Sequence, residues 1–351
     1  GRAVPRLRAR LGFVPLFMAP SGRAVPRLRA RLGFVRAFVA ARSTASGTVA
    51  AVAAGRGVVA ALFRFPVKSM LGERLDRVSA GERGFAGDRA YAVVDRSDGR
   101  VASAKHPRKW GRLLEISARY VDEPDPGGVR APVELTLPDG TAVRSDAPGV
   151  DDALSRFCGR DVALASGPNE GKALEEVWPA IDGLAPAELV AAMSAGRREG
   201  DDPVSDIPVA SMAPTGTYFD LTTLHVMTTA TLRALSSLEP TATFDVRRYR
   251  PNVLVEVDGA GFVENEWVGA TVALGDTLRA RVDLPTMRCV MTTLAQDGLP
   301  ADRRTLQAIA RHNRLEITGL GAWACAGVYG TITEAGDVAV GDPVTVYDSS
   351  E

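Results

Sequence analysis

The pair Arg288-Cys289 stands in the stretch Asp283-Leu-Pro-Thr-Met-Arg-Cys-Val-Met-Thr-Thr-Leu-Ala-Gln296, after a break at Pro285 and ahead of the β-prone run Val290 to Leu294. A cation beside a thiol favours the thiolate, the form that attacks electrophiles and binds soft metals. The competing reading is a small hydrophobe buried in a core strand, where free cysteines commonly sit. A second group of cations, Arg247-Arg-Tyr-Arg-Pro-Asn252, precedes a strand at Val253 to Val257. Guanidinium groups so placed can fork a phosphate or carboxylate, and solvated surface charge is the plainer alternative. Thr228, Thr229 and Thr231 open a helix expected over Thr228 to Leu238. Such a start can receive an anion or simply cap itself.

Other chemistries find less support. The three cysteines, Cys158, Cys289 and Cys325, are widely spaced without a CxxC pair, so neither a disulfide framework nor a structural zinc site is indicated, and a reducing cytoplasm is expected. Cys158 falls on the apolar face of a helix expected over Val150 to Cys158, with Leu154 and Phe157, and reads as core. His106, His225 and His312 are too scattered for a histidine metal site, although His312 and Cys289 could form a nucleophilic couple. No phosphate loop and no HExxH occur. Gly319-Leu-Gly-Ala-Trp-Ala324 satisfies GxGxxA, yet an alternating strand follows it where the dinucleotide fingerprint needs a helix.

The elements that must position these residues are mostly strands. Val58 to Phe65, Leu75 to Ala80, Arg89 to Asp95 and Leu113 to Tyr120 read as β, with a hairpin turn at Pro138-Asp-Gly140. Between Ser166 and Pro214 periodicity fades apart from a helix at Ala187 to Ser194, and a mobile connector or lid is expected. Strands return at Trp267 to Leu274, Leu278 to Val282, Trp323 to Thr333 and Pro343 to Tyr347, interrupted by a helix from Asp302 to Asn313. The pattern predicts a mostly β, α+β chain of barrel-like parts. Its organisation is expected as 1–57 an extension, 58–165 a first β-barrel domain, 166–214 the connector and 215–348 a second domain.

The amino end is different in kind. Gly1 to Val14 recurs identically at Gly22 to Val35, and residues 1–48 carry ten Arg and no acid. Folded repeats diverge, so this one is expected to be a translated upstream duplication or a wrongly assigned start, the true beginning lying near Val49 or Val58. Deleting residues 1–48 is expected to leave the melting temperature and cofactor content unchanged; a large loss of either would show that the segment docks on the body. Net charge over the whole chain is zero, which leaves 32 basic against 42 acidic residues after residue 48, or −10. An acidic body argues against nucleic-acid binding. No apolar run reaches the length of a membrane span, so no membrane partner is expected.

Phe65-Pro-Val-Lys-Ser69, Gly87-Asp-Arg-Ala-Tyr91, Tyr249-Arg-Pro-Asn252, Arg288-Cys-Val-Met-Thr-Thr293 and Val340-Gly-Asp-Pro-Val344 together resemble the MOSC family with its amino-terminal β-barrel domain, in order and spacing from about Val58 to Tyr347. That family includes the mitochondrial amidoxime-reducing component and its bacterial relatives, and the carboxy-terminal part of molybdenum-cofactor sulfurases. The resemblance implies a molybdenum cofactor, a molybdopterin with its metal, and an oxidoreductase that reduces N-hydroxylated compounds by oxygen-atom removal. It makes Cys289 the metal's thiolate ligand and, with Arg288, the catalytic residue. It places the pterin and its phosphate on Lys68, Ser69 and Arg89, with Thr228, Arg250 and Asn252 lining the same site. Relatives often carry a second cysteine three residues before the ligand, where this chain has Thr286. The alternative is a cofactor carrier or sulfur-transfer module without reductase activity, and a Cys/His hydrolase would instead work without metal. Reduction consumes two electrons, and neither a plant-type ferredoxin spacing nor a nucleotide fingerprint is present to supply them. A separate reductase is therefore the expected electron donor.

Overall fold

A computed structural model describes residues 53–126, 131–209 and 214–347. The duplicated segment lies outside these residues. The chain opens with β1 (Ala53–Arg64), β2 (Glu73–Leu75), β3 (Arg77–Gly81), β4 (Gly84–Phe85) and β5 (Tyr91–Asp95), then helix α1 (Pro107–Trp110). β6 (Ser117–Tyr120), β7 (Val133–Thr136), β8 (Ala142–Arg144), α2 (Val150–Cys158) and β9 (Val162–Ser166) follow. Next come β10 (Ala173–Val177), α3 (Ala187–Ser194), β11 (Arg198–Glu199) and β12 (Asp202–Pro208). The last part holds β13 (Leu224–Thr228), α4 (Thr229–Leu238), β14 (Val253–Val257), β15 (Thr271–Leu274), β16 (Leu278–Met287), α5 (Arg304–His312), β17 (Arg314–Ile317), β18 (Gly321–Glu334), β19 (Gly336–Ala339) and β20 (Pro343–Tyr347). The protein is mostly β, with five α-helices among the described residues.

Seven strands close into a barrel in the order β13-β14-β1-β20-β15-β16-β18, with β18 pairing back onto β13. Six of them follow residue 214. The seventh, β1, comes from the amino-terminal side and fills the gap between β14 and β20, with Val59 opposite Val255 and Val58 opposite Pro343. Every pair on this path is antiparallel except β13 with β14, which run parallel because helix α4 crosses between them. Inward alternation is clear on β16, where Leu278, Ala280 and Val282 are buried in the core with Val59, Leu62, Val255 and Val344. β3 likewise pairs with β19 across the two parts. The expected boundary at 165 thus separates the parts in sequence, while in space their strands interleave.

The amino-terminal part packs the β5–β9 pair and the β6-β7-β8 sheet around Val67, Met70, Trp110, Leu135 and Leu154. The segment expected as a mobile connector or lid carries three strands and a helix among its described residues. β10, β12 and β11 form a sheet, and α3 packs beside the tilted pair Trp178 and Trp323, whose ring centroids are 5.8 Å apart. Its strand β10 escapes a hydropathy reading because its centre is Glu175-Glu176, made tolerable by tertiary partners: Lys109 and Arg197 meet Glu175, and Lys105 meets Glu176. Two local expectations also change near the thiol. β16 continues through Pro285 to Met287, and the run from Val290 to Thr293 is a 3-10 turn, because tertiary hydrogen bonds override its β propensity. Among the described residues no helix is long and apolar enough to cross a membrane.

Candidate functional site

Loops and strand ends from both parts surround a cleft of about 740 Å3, counted out to its open mouth. The amino-terminal part contributes Lys68, Ser69, Arg89 and Lys105, and the loop before β13 contributes Tyr218 and Asp220. From the barrel come His225, Arg250, Asn252, Arg288, Cys289 and Tyr329. Seven of the eight expected site residues therefore converge here from stretches more than two hundred residues apart.

The backbone is bent to bring them there. Among the described residues five non-glycine residues have positive φ, and three of these are Ser69 (64°), Arg89 (48°) and Arg250 (56°). Such conformations cost about 1–3 kcal/mol each and persist where surrounding structure enforces them, typically at functional sites. The enforcement is visible. Buried Asp88 accepts from the Phe65 amide at 2.7 Å and from Asn252 Nδ2 at 2.8 Å, and pairs with the neighbouring Arg89. Arg89 Nη2 donates to the Arg250 carbonyl at 3.3 Å. Asn252 Oδ1 accepts from the His225 amide at 3.1 Å, so Asn252 ties the two parts together. Ser69 Oγ accepts from the Ala104 amide at 3.0 Å and holds the loop that carries Lys105. The rings of Phe65 and the guanidinium groups stack, with Arg250 4.1 Å and Arg89 4.4 Å from its centroid.

Charge in the cleft is dominated by buried cations. Lys68 Nζ donates to the Tyr218 carbonyl at 2.9 Å and pairs with Asp220, which Lys105 also approaches, at 3.7 Å. Lys105 closes the chain on Glu176 at 3.2 Å. Burial pulls the Lys68 pKa down, against the pull of Asp220. Lys105 sits well above its ordinary value: burial opposes this, but Asp220, Glu176 and Cys289 outweigh it. Arg250, desolvated and beside Arg89, is pushed down to about 9. Its Nη1 and the Nε of Arg288 are buried without a hydrogen-bond partner. Unsatisfied buried donors on cations are costly unless an anion or polar ligand meets them.

Cys289 is half-buried and opens into this cleft, whereas Cys325 is fully buried and Cys158 lies partly buried against the amino-terminal core. The expected effect of Arg288 on the thiol is corrected. Burial raises the Cys289 pKa, and the cation that opposes it is Lys105. Arg288 is adjacent in sequence but spends its guanidinium elsewhere: Nη2 donates to the Tyr249 carbonyl at 2.8 Å, and Nη1 approaches His225 Nε2 at 3.4 Å. Burial lifts the other thiols too, Cys158 to about 11 and Cys325 to about 12. Position, not acidity, sets Cys289 apart. A metal bound there would itself displace the thiol proton.

Thr228 is the expected site residue that stands outside the cleft. Its hydroxyl caps α4 by accepting from the Thr231 amide at 3.2 Å and donates to Glu264 Oε2 at 2.6 Å, both groups fully buried. Replacing it, Thr228→Ala, is expected to lower stability by about 1–2 kcal/mol through the lost cap and the exposed Glu264 lone pair. Urea unfolding measures this; an unchanged midpoint would contradict it. Lys105, Asp220, His225 and Tyr329 were not singled out from sequence. His312, the imagined partner of Cys289, does not line the cleft, while His225 does, held neutral by burial and by the Arg288 charge. Among the described residues no grouping of three or more His, Cys, Asp or Glu side chains is arranged to hold a metal ion.

Residues 56–156 match the MOSC N-terminal beta barrel domain and residues 217–345 match the MOSC domain. Together the matches span about two thirds of the chain, which belongs to the MOSC-domain proteins, a family whose members bind molybdenum cofactor. The first match includes most of β1, the strand that completes the barrel of the second. Among solved structures, the YuaD protein from Bacillus subtilis is similar at 10% identity and a TM-score of 0.38, covering 84% of this chain and 97% of its own. YiiM from Geobacillus stearothermophilus is similar at 13% identity and a TM-score of 0.25, covering 36% of this chain and 54% of its own. At these values neither likeness bears on function. No curated protein matches the chain.

Proposed function

We propose that the cleft holds a molybdenum pterin cofactor and that the protein uses it to reduce N-hydroxylated compounds. The observation that carries this reading is a single thiol opening among buried, partly unsatisfied cations, with no other metal-holding group described. A free metal ion needs several protein ligands, whereas a metal that brings its own dithiolene sulfurs needs one soft ligand and an anchor for its phosphate. The residues present fit such a group. When bound, the cofactor supplies two-electron removal of the oxygen from an N–OH group.

The chain's own residues do the rest. Cys289 Sγ would hold the metal as its one protein thiolate. Lys68, Arg89 and Arg250 would hold the phosphate, a charge pairing that guanidinium and ammonium donors suit. Ser69 holds the loop that carries Lys105, and Asn252 holds Asp88, the partner of Arg89. Lys105 Nζ, paired with Asp220 and Glu176, would supply the positive charge that bears on Cys289. Arg288 fixes the backbone around the thiol.

The electrons come from a separate reductase. Protein made in a host that builds the cofactor is expected to reduce benzamidoxime with reduced viologen and to be inert with NADH or NADPH alone. Turnover with NADPH and no second protein would contradict the separate donor. Inertness with viologen at full molybdenum loading would instead favour a cofactor carrier.

A further inference from the structure

Arg248 is among the most deeply buried large side chains of the protein, at 1% exposure, and no carboxylate lies within ion-pair distance of it among the described residues. Its guanidinium is spent on backbone carbonyls: Nε donates to Thr243 at 3.2 Å, Nη1 to Thr292 at 3.3 Å and Leu294 at 3.0 Å, and Nη2 to Pro300 at 2.6 Å. Two of these acceptors lie in or directly beside the 3-10 turn that follows Cys289. The Thr292 hydroxyl and amide in turn donate to the Cys289 carbonyl at 3.1 and 3.3 Å. The traffic also runs the other way. Arg288, directly before the thiol, donates to the carbonyl of Tyr249, directly after Arg248. Each arginine thus grips the backbone of the other's segment.

We infer that Arg248 and Arg288 form a reciprocal clamp that sets where the Cys289 thiol sits in the cleft. Arg248 is a positioning residue. The clamp's relevance to metal binding rests on the proposed function, but its existence does not. A 3-10 turn has poor intrinsic hydrogen bonding and is short-lived without tertiary support. Here that support is two donations from one charged group, to Thr292 and Leu294, each stronger than a neutral hydrogen bond, while its other two donations anchor the group on Thr243 and Pro300. Thr305 Oγ1, whose one proton is shared between the Asp302 carbonyl at 2.8 Å and the same Thr292 carbonyl at 3.1 Å, sets helix α5 against the turn. Lysine keeps the charge of Arg248 but has a single nitrogen and cannot span acceptors in three segments.

The test uses cofactor-free full-length protein and iodoacetamide, with each cysteine followed by mass spectrometry. Arg248→Lys is expected to raise the alkylation rate of Cys289 by about tenfold, in line with the large effects of small displacements at positioned groups. The rates at Cys158 and the pH dependence at Cys289 should be unchanged, which a general loosening of the fold or a change in thiol acidity would not allow. Thr305→Val, which leaves both arginines in place, is expected to give a smaller increase at Cys289 alone. Cys289 rates within twofold of wild type in both variants, or an equal rise at Cys158 in both, would overturn the clamp. Molybdenum content is measured separately, so an intact clamp in a protein that takes no metal would count against the proposed function and not against this inference.

Discussion

Cys289→Ala is expected to abolish reduction of N-hydroxylated substrate and to change or remove the absorption of the bound metal, while the protein stays folded. The thiol is half-buried and opens into the cleft, so its loss leaves a small gap there rather than a core void. Cys158→Ala and Cys325→Ala are expected to retain the metal spectrum and activity. The fully buried Cys325 should cost about 1 kcal/mol of packing, and Cys158 less. The three variants together separate ligand loss from misfolding. Equal activity loss in all three would point to misfolding, and retained activity in Cys289→Ala would remove the central residue of the account.

Asp220→Ala is the second change expected to have a large effect, and it is one that sequence alone does not suggest. Its carboxylate is the shared partner of two buried lysines. Burial would raise its pKa, but Lys105 and Lys68 hold it well below the ordinary carboxylate range. Because the folded value is depressed, the group contributes stability above the ordinary carboxylate pKa and loses that contribution as pH falls toward the folded value. Removing one partner of a buried ion pair costs about 3–5 kcal/mol, and with a third of Asp220 exposed about 2 kcal/mol is expected at neutral pH. Denaturant unfolding across pH should show the variant's deficit shrinking as pH drops below about 4. A deficit that stays constant into acid would mean that the carboxylate acts through packing alone. Cofactor content should fall as well, since uncompensated Lys68, already pulled down by burial, would lose its proton more readily and grip a phosphate less tightly.

Strong local signals made much of the architecture legible. The helices Val150–Cys158 and Ala187–Ser194 and the strands Val253–Val257 and Pro343–Tyr347 stand at their expected bounds, because periodicity and glycine or proline punctuation mark them in the chain itself. Barrel closure was not legible. Nothing local in Ala53–Arg64 says that this strand pairs with Val253–Val257 and Pro343–Tyr347 rather than with its sequence neighbours. The site divides similarly. Lys68, Arg89, Arg250 and Cys289 stand in recognisable motifs, but Lys105, Asp220 and His225 are ordinary residues until the fold brings them together. The opposite error came from adjacency. Arg288 precedes Cys289 in the chain, yet its charge is directed at the Tyr249 carbonyl, and the cation that bears on the thiol lies 184 positions earlier, at Lys105.

The central claim is that this cleft holds a molybdenum pterin group through Cys289 and the cations around it. The most direct measurement is the molybdenum content of full-length protein purified from a host able to make the cofactor, with pterin released by acid and quantified alongside. The account predicts about one molybdenum and one pterin per chain in the wild type. A correctly folded wild-type protein from that host with neither metal nor pterin would contradict it.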